Sequence, residues 1–254
     1  MFGLQNFRGS CWVNACLQCI FRIPEVQQRY NNKEFDKTNL IDECLCRIWN
    51  SQGETGLKEF FESVKTEYLP AGDNIGDSHE LINYLCDKLP FLDELCRFKI
   101  ADSIKCNSCE YTEIREDSVV EYSISCMDNK KSLVQCIADT VQPMKIDDWK
   151  CEKCSEKGCT KQQLIGKFPK VMVFHKVSVP GSIDYPSILS INKNQYALTS
   201  VASYNGAHWW AYGRNMPPGS SWFTLDDKSV QEHGPKQFPI STRMRVMIYY
   251  RLEN

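Results

Sequence analysis

The chain has 254 residues, enough for one large domain or two small ones. Hydrophobic residues make up 42% of the chain, charged residues make up 24%, and the net charge is −2. This balance is ordinary for a soluble globular protein and argues against a strongly basic surface for nucleic acid. No apolar run approaches the roughly 18 residues that cross a membrane, and no secretory signal opens the sequence. We therefore expect a cytoplasmic or nuclear protein that acts on neither membranes nor nucleic acid.

The first third of the chain places apolar residues at helical spacing. The predicted helices cover residues 12–22, 40–49, 57–68 and 78–89. Ser10 is a candidate N-cap for the first helix, and Pro24 is a candidate stop.

After Pro90, β-branched and aromatic residues dominate a series of short segments. The predicted strands cover residues 94–104, 118–125, 169–177, 195–203, 207–214, 221–225 and 244–252. A helical first third followed by a β-rich remainder predicts the α+β class.

The sequence holds 14 cysteines, a high number for a chain without a secretory signal. In that setting metal binding and catalysis are better explanations for cysteine than disulfides. The remaining thiols are expected to be buried as small hydrophobic side chains.

The most specific cysteine pattern is a pair of C-x-x-C motifs, "CNSC" and "CEKC". Four thiolates from two such motifs fit a closed tetrahedral zinc site, which would be structural because it has no open coordination position. The 41 residues between the motifs would form an excursion from a zinc-ribbon base. We predict one zinc ion held by Cys106, Cys109, Cys151 and Cys154. Reduced core cysteines are the alternative; Cys159 is a further candidate ligand, but the paired spacing favours the four named.

A second pattern joins Cys11 to His208 and to the carboxylates Asp226 and Asp227. Cysteine first, histidine much later and then a carboxylate is the chain order of papain-like thiol hydrolases. In that chemistry the thiolate attacks a carbonyl, the imidazole moves the proton, and the carboxylate fixes the imidazole tautomer. A helix that starts near Cys11 would lower the pKa of its thiol through the helix dipole. The order alone also fits a histidine that merely packs within a strand.

Five collinear stretches resemble the motifs of the ubiquitin-specific protease family. "GLQNFRGSCWVNACLQ" resembles its cysteine box, and "GDSHELINYLCDKL" resembles a helix that follows that box. "CNSCEYTEIREDS" and "WKCEKCSEKGCTKQQLIGKFPKVMVFHK" resemble its zinc-binding fingers and the strand after them. "YALTSVASYNGAHWWAYGRN", followed by "SSWFTLDDKSVQEH", resembles its histidine box.

The resemblance implies a papain-like cysteine protease fold of the α+β class, as one catalytic domain over residues 1–254. A mainly helical thumb would cover 1–93, zinc-ribbon fingers 94–170, and a β-rich palm 171–254. The implied activity is that of a cysteine-type deubiquitinase, a monomeric thiol isopeptidase that cleaves after the C-terminal glycine of ubiquitin. The alternatives are a protease for another modifier such as SUMO, a catalytically silent ubiquitin-binding module, and a zinc-ribbon adaptor.

The resemblance also assigns roles to single residues. Cys11 would be the nucleophile and His208 the general base. Asp226 aligns with the third member of the triad and Asp227 with the carboxylate beside it, and the two roles are open to exchange. Asn6 aligns with a side chain that stabilises the oxyanion, and a turn residue is the alternative.

Two further residues align with substrate contacts. Asp77 aligns with an acidic residue that holds the basic tail of ubiquitin, and it is also a candidate N-cap. Trp209 is interpreted as a wall of the channel for that tail, with core packing as the alternative. Arg8 replaces a glycine of the cysteine box and Ala207 a glycine before His208, which predicts an altered turn and a narrower channel. The remaining histidines are expected to be surface or structural residues: His79, His175 and His233.

Overall fold

The computed structural model describes residues 1–69, 75–126, 130–177, 181–235 and 241–253. Helices occupy most of the first third: α1 (Cys11–Ile20), α2 (Pro24–Asn31), α3 (Leu40–Asn50), α4 (Leu57–Tyr68), α5 (Ser78–Lys88) and α6 (Pro90–Cys96). A further helix, α7 (Leu133–Val141), lies among the strands. Within the described ranges, no helix is long and apolar enough to cross a membrane.

The strands begin directly after α6. In chain order they are β1 (Phe98–Cys106), β2 (Thr112–Val119), β3 (Tyr122–Ile124), β4 (Lys130–Ser132), β5 (Met144–Lys150), β6 (Lys157–Ile165), β7 (Val171–Lys176), β8 (Ser182–Asp184), β9 (Ile188–Ile191), β10 (Asn194–Tyr204), β11 (Trp209–Gly213), β12 (Trp222–Asp226), β13 (Ser229–His233) and β14 (Met244–Arg251). This arrangement of helices and sheets belongs to the α+β class, as the sequence predicts.

Two sheets carry most of the β structure. The smaller is antiparallel with four strands in the order β2-β1-β6-β5, and the C-x-x-C motifs lie at its hairpin ends. The larger has eight strands in the order β13-β12-β11-β10-β14-β7-β3, with β9 paired to β10. A short parallel pair, β4 and β8, is separate from both.

The central helix is α1, and all 10 of its residues are buried. It packs against β10, β11, β12 and α5, so it lies between the helical and the β-rich parts. Trp12 and Leu17 are both completely buried, and burial of each such side chain stabilises the fold by about 1.5–3 kcal/mol. Packing therefore holds α1 in place, because no side chain among the described residues caps its N-terminus. Ser10 stands at the N-cap position, but its hydroxyl accepts a hydrogen bond from the N–H of Phe7 (2.8 Å), so the predicted cap is wrong.

Several predicted boundaries are also wrong. The first helix ends at Ile20, and Pro24 opens α2, because proline at the first helical position loses no hydrogen bond. The predicted strand 94–104 includes the end of α6, and the predicted strand 118–125 joins the end of β2 to β3. Helices α2, α6 and α7 were not predicted.

The first nine residues form an N-terminal strap (residues 1–9) that lies against α1 and the end of β12. The backbone N–H of Leu4 donates to the carbonyl of Asp227 (2.8 Å). A Cβ added at Gly3 would lie 2.4 Å from the carbonyl oxygen of Lys228. Only glycine therefore allows the strap to approach so closely.

Gly3→Ala should lower the free energy of unfolding by about 1–3 kcal/mol, because the added methyl meets backbone atoms that cannot rotate away. Gly234→Ala is the matched control, since a Cβ there meets nothing within 4 Å, and its effect should stay within about 0.5 kcal/mol. Urea unfolding of the two variants measures both values. Equal effects would contradict the close approach at Gly3.

Candidate active site and metal centre

Cys11 is the first residue of α1 and is 7% exposed. Burial raises the pKa of its thiol; the backbone N–H of Trp209 opposes this, and the charge of Asp227 adds to it. The predicted lowering of the Cys11 pKa by the helix dipole is therefore wrong, because desolvation of the thiolate is the larger effect. The resting thiol is protonated at neutral pH and needs a base.

His208 is held just ahead of β11, facing the end of β12. The carboxamide oxygen of Asn205 accepts hydrogen bonds from the backbone N–H groups of Ala207 (3.0 Å) and His208 (2.9 Å), which fixes the turn. Nε2 of His208 lies 2.6 Å from Oδ1 of Asp226. Because Nε2 is committed to the carboxylate, Nδ1 is the nitrogen that can take a proton from a thiol.

Asp227 follows Asp226 directly but has different partners. Its Oδ2 accepts a hydrogen bond from Nδ2 of Asn6 (2.8 Å), and its Oδ1 accepts one from Nδ2 of Asn14 (2.7 Å). β12 ends at Asp226, and Asp227 has a left-handed backbone with φ of 51°. Asp226 therefore pairs with the imidazole of His208, whereas Asp227 pairs with the amides of Asn6 and Asn14.

The amide of Asn6 is held at both ends. Its Oδ1 accepts from the N–H groups of Gly9 (3.0 Å) and Ser10 (3.2 Å), while one Nδ2 hydrogen goes to Asp227. An amide nitrogen carries two hydrogens, so one donor remains for an oxyanion. Arg8 and Gly9 both have positive φ (48° and 104°), so the turn forms with arginine in the glycine position. Left-handed backbone at arginine costs about 1–2 kcal/mol.

The structure brings five of the predicted residues together: Asn6, Cys11, His208, Asp226 and Asp227. One ligand-type atom from each of the histidine and the two aspartates lies within 4.8 Å of the others. The backbone N–H that reaches the sulfur of Cys11 belongs to Trp209, the residue after the histidine. The thiol and the imidazole therefore border the same small region.

Asp77 lies at the N-terminus of α5. Its carboxylate accepts a hydrogen bond from the N–H of His79 (2.8 Å), so the alternative reading as an N-cap is correct. The side chain is still 43% exposed, which leaves it accessible to a ligand. The hydroxyl of Ser78 donates to the carbonyl of Trp12 (2.7 Å), which places this end of α5 beside the start of α1.

Trp209 is 3% exposed and stacks on Tyr204 with ring centroids 4.7 Å apart. This burial favours the packing role over a wall of the substrate channel. Trp210 points to the other face of β11, where its ring is roughly parallel to that of His208, with centroids 6.4 Å apart.

Four sulfur atoms converge at the hairpin ends of the smaller sheet. The sulfurs of Cys106 and Cys154 are 3.7 Å apart, as are those of Cys109 and Cys151, and all four lie within 4.8 Å of one another. A tetrahedral site with zinc–sulfur bonds of about 2.3 Å requires sulfur separations of about 3.8 Å. The four cysteines therefore have the donor type and the spacing for zinc.

The surroundings of these sulfurs also suit thiolates. The backbone N–H of Ser108 points at the sulfur of Cys106, and that of Lys153 at the sulfur of Cys151, both at 3.4 Å. Cys159 is buried opposite Cys106 in the β1–β6 pairing and is not in the cluster.

A cluster that the sequence did not predict joins α5 to β7. The rings of His79 and His175 stack 3.6 Å apart at 11°, and Nε2 of His79 lies 2.7 Å from Oε1 of Glu121. Parallel rings direct their nitrogen lone pairs side by side instead of toward a common point, so the pair does not form a metal site in this arrangement. The three residues are 96 positions apart at most, and no local spacing could have revealed them.

These groups have opposite pKa shifts. Burial opposes the charged form of His79, but the hydrogen bond and charge of Glu121 raise its pKa. Burial lowers the pKa of His175 to about 4, and the positive charges of His79 and Arg245 add to this effect. The proton of the stack therefore favours His79 over His175.

A buried thiol beside an imidazole–carboxylate pair and a donor amide defines the class of cysteine hydrolases. The profile described as "Ubiquitin carboxyl-terminal hydrolase" matches residues 2–250, and the chain belongs to that family.

Two curated relatives are similar over nearly the whole chain. A probable ubiquitin carboxyl-terminal hydrolase 8 of Schizosaccharomyces pombe is 21% identical over 98% of this chain and 64% of its own length. Ubiquitin carboxyl-terminal hydrolase 2 of Homo sapiens is 22% identical over 98% of this chain and 55% of its own length. The chain thus spans less than two thirds of the length of these relatives.

Solved structures share the fold. The SAGA DUB module of Ubp8, Sgf11, Sus1 and Sgf73 bound to monoubiquitin matches with a TM-score of 0.82 and 16% identity, over 100% of this chain and 69% of that chain. A yeast SAGA DUBm structure matches with a TM-score of 0.83 and 16% identity, over the same shares of both chains.

The stacked histidines predict a specific dependence of stability on pH. The pKa of His175 is about 4 in the fold and 6.5 in a free chain, so protons favour the unfolded state between those values. The contribution of His175 to the free energy of unfolding should therefore fall by roughly 3 kcal/mol as the pH drops from 6.5 to 4, while the raised pKa of His79 acts in the opposite direction. His175→Phe keeps a flat ring and removes this titration. Chemical unfolding at pH 7 and pH 4 should show a smaller loss for the variant, and parallel losses would contradict the shift.

Proposed function

We propose that this chain is a thiol-dependent deubiquitinase that hydrolyses the bond after the C-terminal glycine of ubiquitin. One observation carries the proposal: Nε2 of His208 is bound to Asp226, which leaves Nδ1 free for the thiol of Cys11. Family membership over residues 2–250 and the fold shared with a ubiquitin-bound module support ubiquitin as the substrate. We place its activity in the cytoplasm or nucleus and treat the chain as active without a second copy.

The mechanism follows from the protonation of the resting site. Because burial keeps the Cys11 thiol protonated, Nδ1 of His208 takes its proton as the sulfur attacks the glycine carbonyl. The imidazolium then protonates the leaving amine, and a thioester remains on Cys11. Water, deprotonated by His208, hydrolyses the thioester and restores the thiol.

The oxyanion of each tetrahedral intermediate needs donors. The free Nδ2 hydrogen of Asn6 and the backbone N–H of Cys11 are the donors that we assign. A donor of this kind contributes about 3 kcal/mol to the transition state. Asp227 touches no reacting atom in this scheme and acts by holding the Asn6 amide.

The exposed carboxylate of Asp77 is our candidate for binding the basic tail of ubiquitin, because a carboxylate can pair bidentately with an arginine. Trp209 is assigned no substrate contact, because its ring is buried.

Substitution of Asp226 and substitution of Asp227 should affect kcat and Tm differently. Asp226→Asn should lower kcat on the order of 10³–10⁴-fold, because the imidazole loses its orienting anion, with Tm nearly unchanged at this 46% exposed side chain. Asp227→Asn should lower kcat by about 10–100-fold and also lower Tm, because Asn14 is buried and loses an acceptor. Steady-state kinetics and thermal unfolding of both variants test this division. Identical profiles for the two variants would refute it.

The choice of substrate is tested with matched C-terminal fluorogenic fusions of ubiquitin and SUMO. We expect turnover of the ubiquitin fusion at least 100-fold above that of SUMO, and none by Cys11→Ala. Faster turnover of the SUMO fusion would show that the substrate is a modifier other than ubiquitin. Tight ubiquitin binding without turnover would indicate a silent binding module.

We further propose that Cys106, Cys109, Cys151 and Cys154 hold one structural zinc ion. When bound, zinc would clamp the two hairpin ends of the smaller sheet and take no part in the reaction.

Metal analysis of the folded protein should give about one zinc per chain. Cys106→Ser should lose the zinc, because the serine hydroxyl is a poor replacement for a thiolate ligand. Cys159→Ser is the matched control, since this cysteine lies opposite Cys106 but outside the cluster, and it should keep the metal. A wild-type protein without zinc, or equal loss in both variants, would reject the site.

A further inference from the structure

Asp77 lies beside an imidazole that is bonded to a different carboxylate. Nδ1 of His79 is 4.0 Å from Oδ1 of Asp77, whereas Nε2 of the same ring is 2.7 Å from Oε1 of Glu121. Burial disfavours a charge on His79, but the hydrogen bond and charge of Glu121 outweigh burial and raise the pKa of His79. The ring of His79 therefore stands between two carboxylates and is bonded to the one that has no assigned substrate contact.

The two carboxylates differ in their access to solvent. The side chain of Glu121 is 13% exposed, and its Oε1 also lies 3.7 Å from Nδ1 of His175. The side chain of Asp77 is 43% exposed. A carboxylate that is largely removed from water needs a partner, because the loss of hydration is costly. His79 is thus the counter-ion of Glu121, and Asp77 keeps the exposure that a ligand needs.

Three contacts fix the orientation of the His79 ring. The ring stacks on His175 of β7 with centroids 3.6 Å apart, and the amide nitrogen of Asn83 on α5 lies 3.4 Å from its Nε2. Glu121 joins the ring to the connection between β2 and β3. Of these three contacts, the one to Glu121 is the only one with a negative charge. Glu121 is therefore the group that holds the proton of His79 on the side away from Asp77.

Glu80 does not take the place of Glu121. It lies on α5 within the field of His79, but its carboxylate accepts a hydrogen bond from the hydroxyl of Tyr68. Asp77, at 4.0 Å from Nδ1, is therefore the next carboxylate that a charged His79 can reach.

Positive charges surround the second ring of the stack. Burial lowers the pKa of His175, and the charges of His79, Arg245 on β14 and Lys176 on β7 add to this effect. His175 is therefore neutral when His79 is charged, and it supports the His79 ring by stacking without competing for Glu121.

We propose that Glu121 is a positioning residue for substrate binding, which holds the imidazolium of His79 away from Asp77 and so keeps the Asp77 carboxylate available to the basic tail of ubiquitin. The inference rests on the proposed function, in which Asp77 binds that tail. Without Glu121, a charged His79 turns to Asp77 and competes with the arginine of the substrate. Glu121 itself touches neither the substrate nor a reacting atom.

The test is the affinity of ubiquitin for the Cys11→Ala chain, which binds without turnover, at pH 6 and at pH 9. Glu121→Gln in this parent chain keeps the shape of the side chain and removes its charge. It should weaken ubiquitin binding about three- to fivefold at pH 6, which is the size expected for a partly exposed ion pair. At pH 9 His79 without Glu121 is neutral and cannot pair with Asp77, so the difference from the parent should disappear.

Two further variants separate this positioning role from a general defect. Glu116→Gln removes an exposed carboxylate of β2 and should bind ubiquitin as the parent chain does. His79→Gln combined with Glu121→Gln removes the competing cation, so this double variant should recover the parent affinity at pH 6. In the chain with an intact Cys11, Glu121→Gln should raise KM and leave kcat unchanged.

A second measurement covers the case in which Glu121→Gln does not fold. Saturating ubiquitin should lower the pKa of His79 in the Cys11→Ala chain, followed by NMR, because a bound arginine offsets the negative charge of Asp77.

Three outcomes would overturn the inference: an affinity change in Glu121→Gln that is the same at both pH values, a loss that persists in the double variant, or a pKa of His79 that ubiquitin leaves unchanged. A chain that neither binds nor turns over ubiquitin would instead refute the proposed function, and the inference with it.

Discussion

The site depends on the hydrogen bonds that the carboxylate of Asp227 accepts. It accepts amide hydrogen bonds from Asn6 and Asn14, which are 221 and 213 residues away in the chain. The N-terminal strap, the first turns of α1 and the end of β12 are thereby joined at one point. Cys11 is on α1 and Asp226 ends β12, so the thiol and the orienting carboxylate are positioned through this connection. The buried amide of Asn14 makes it costly to break, because an unpaired buried polar group costs about 1–3 kcal/mol.

The burial that positions the nucleophile also controls its reactivity. α1 is held by packing on every side, and the same packing desolvates Cys11 and raises the pKa of its thiol. Burial also raises the pKa of Cys16 and Cys19 in the same helix, that of Cys19 to about 12. Of these three thiols, Cys11 is the one at the helix start, beside the histidine turn. A protonated resting thiol with an adjacent base suits an enzyme that reacts only when a carbonyl is bound against it.

The sequence predicted the parts that depend on local pattern. The α+β class, four amphipathic helices and the grouping of Cys106, Cys109, Cys151 and Cys154 follow from spacing, which is encoded over a few residues. The resemblance selected Cys11 and His208 among many cysteines and four histidines, which spacing alone could not do.

The features that the sequence did not predict depend on contacts between distant segments of the chain. Asp226 and Asp227 have different partners because Asp227 has a left-handed backbone and accepts a hydrogen bond from the amide of Asn14 on α1. The sequence shows neither feature. The pKa of Cys11 was predicted in the wrong direction because its burial depends on the whole core. Ser10 does not cap α1 because its hydroxyl accepts a hydrogen bond from Phe7 in the N-terminal strap.

The central claim is that Cys11 is the nucleophile for the carbonyl of the ubiquitin C-terminal glycine. It is tested most directly by reacting the folded chain with ubiquitin that carries a C-terminal electrophile, followed by peptide mapping. The account predicts one ubiquitin per chain, attached to the peptide that contains Cys11, and no adduct with Cys11→Ala although its other 13 cysteines remain. Attachment at another cysteine, or a folded wild-type chain that forms no adduct, would contradict it.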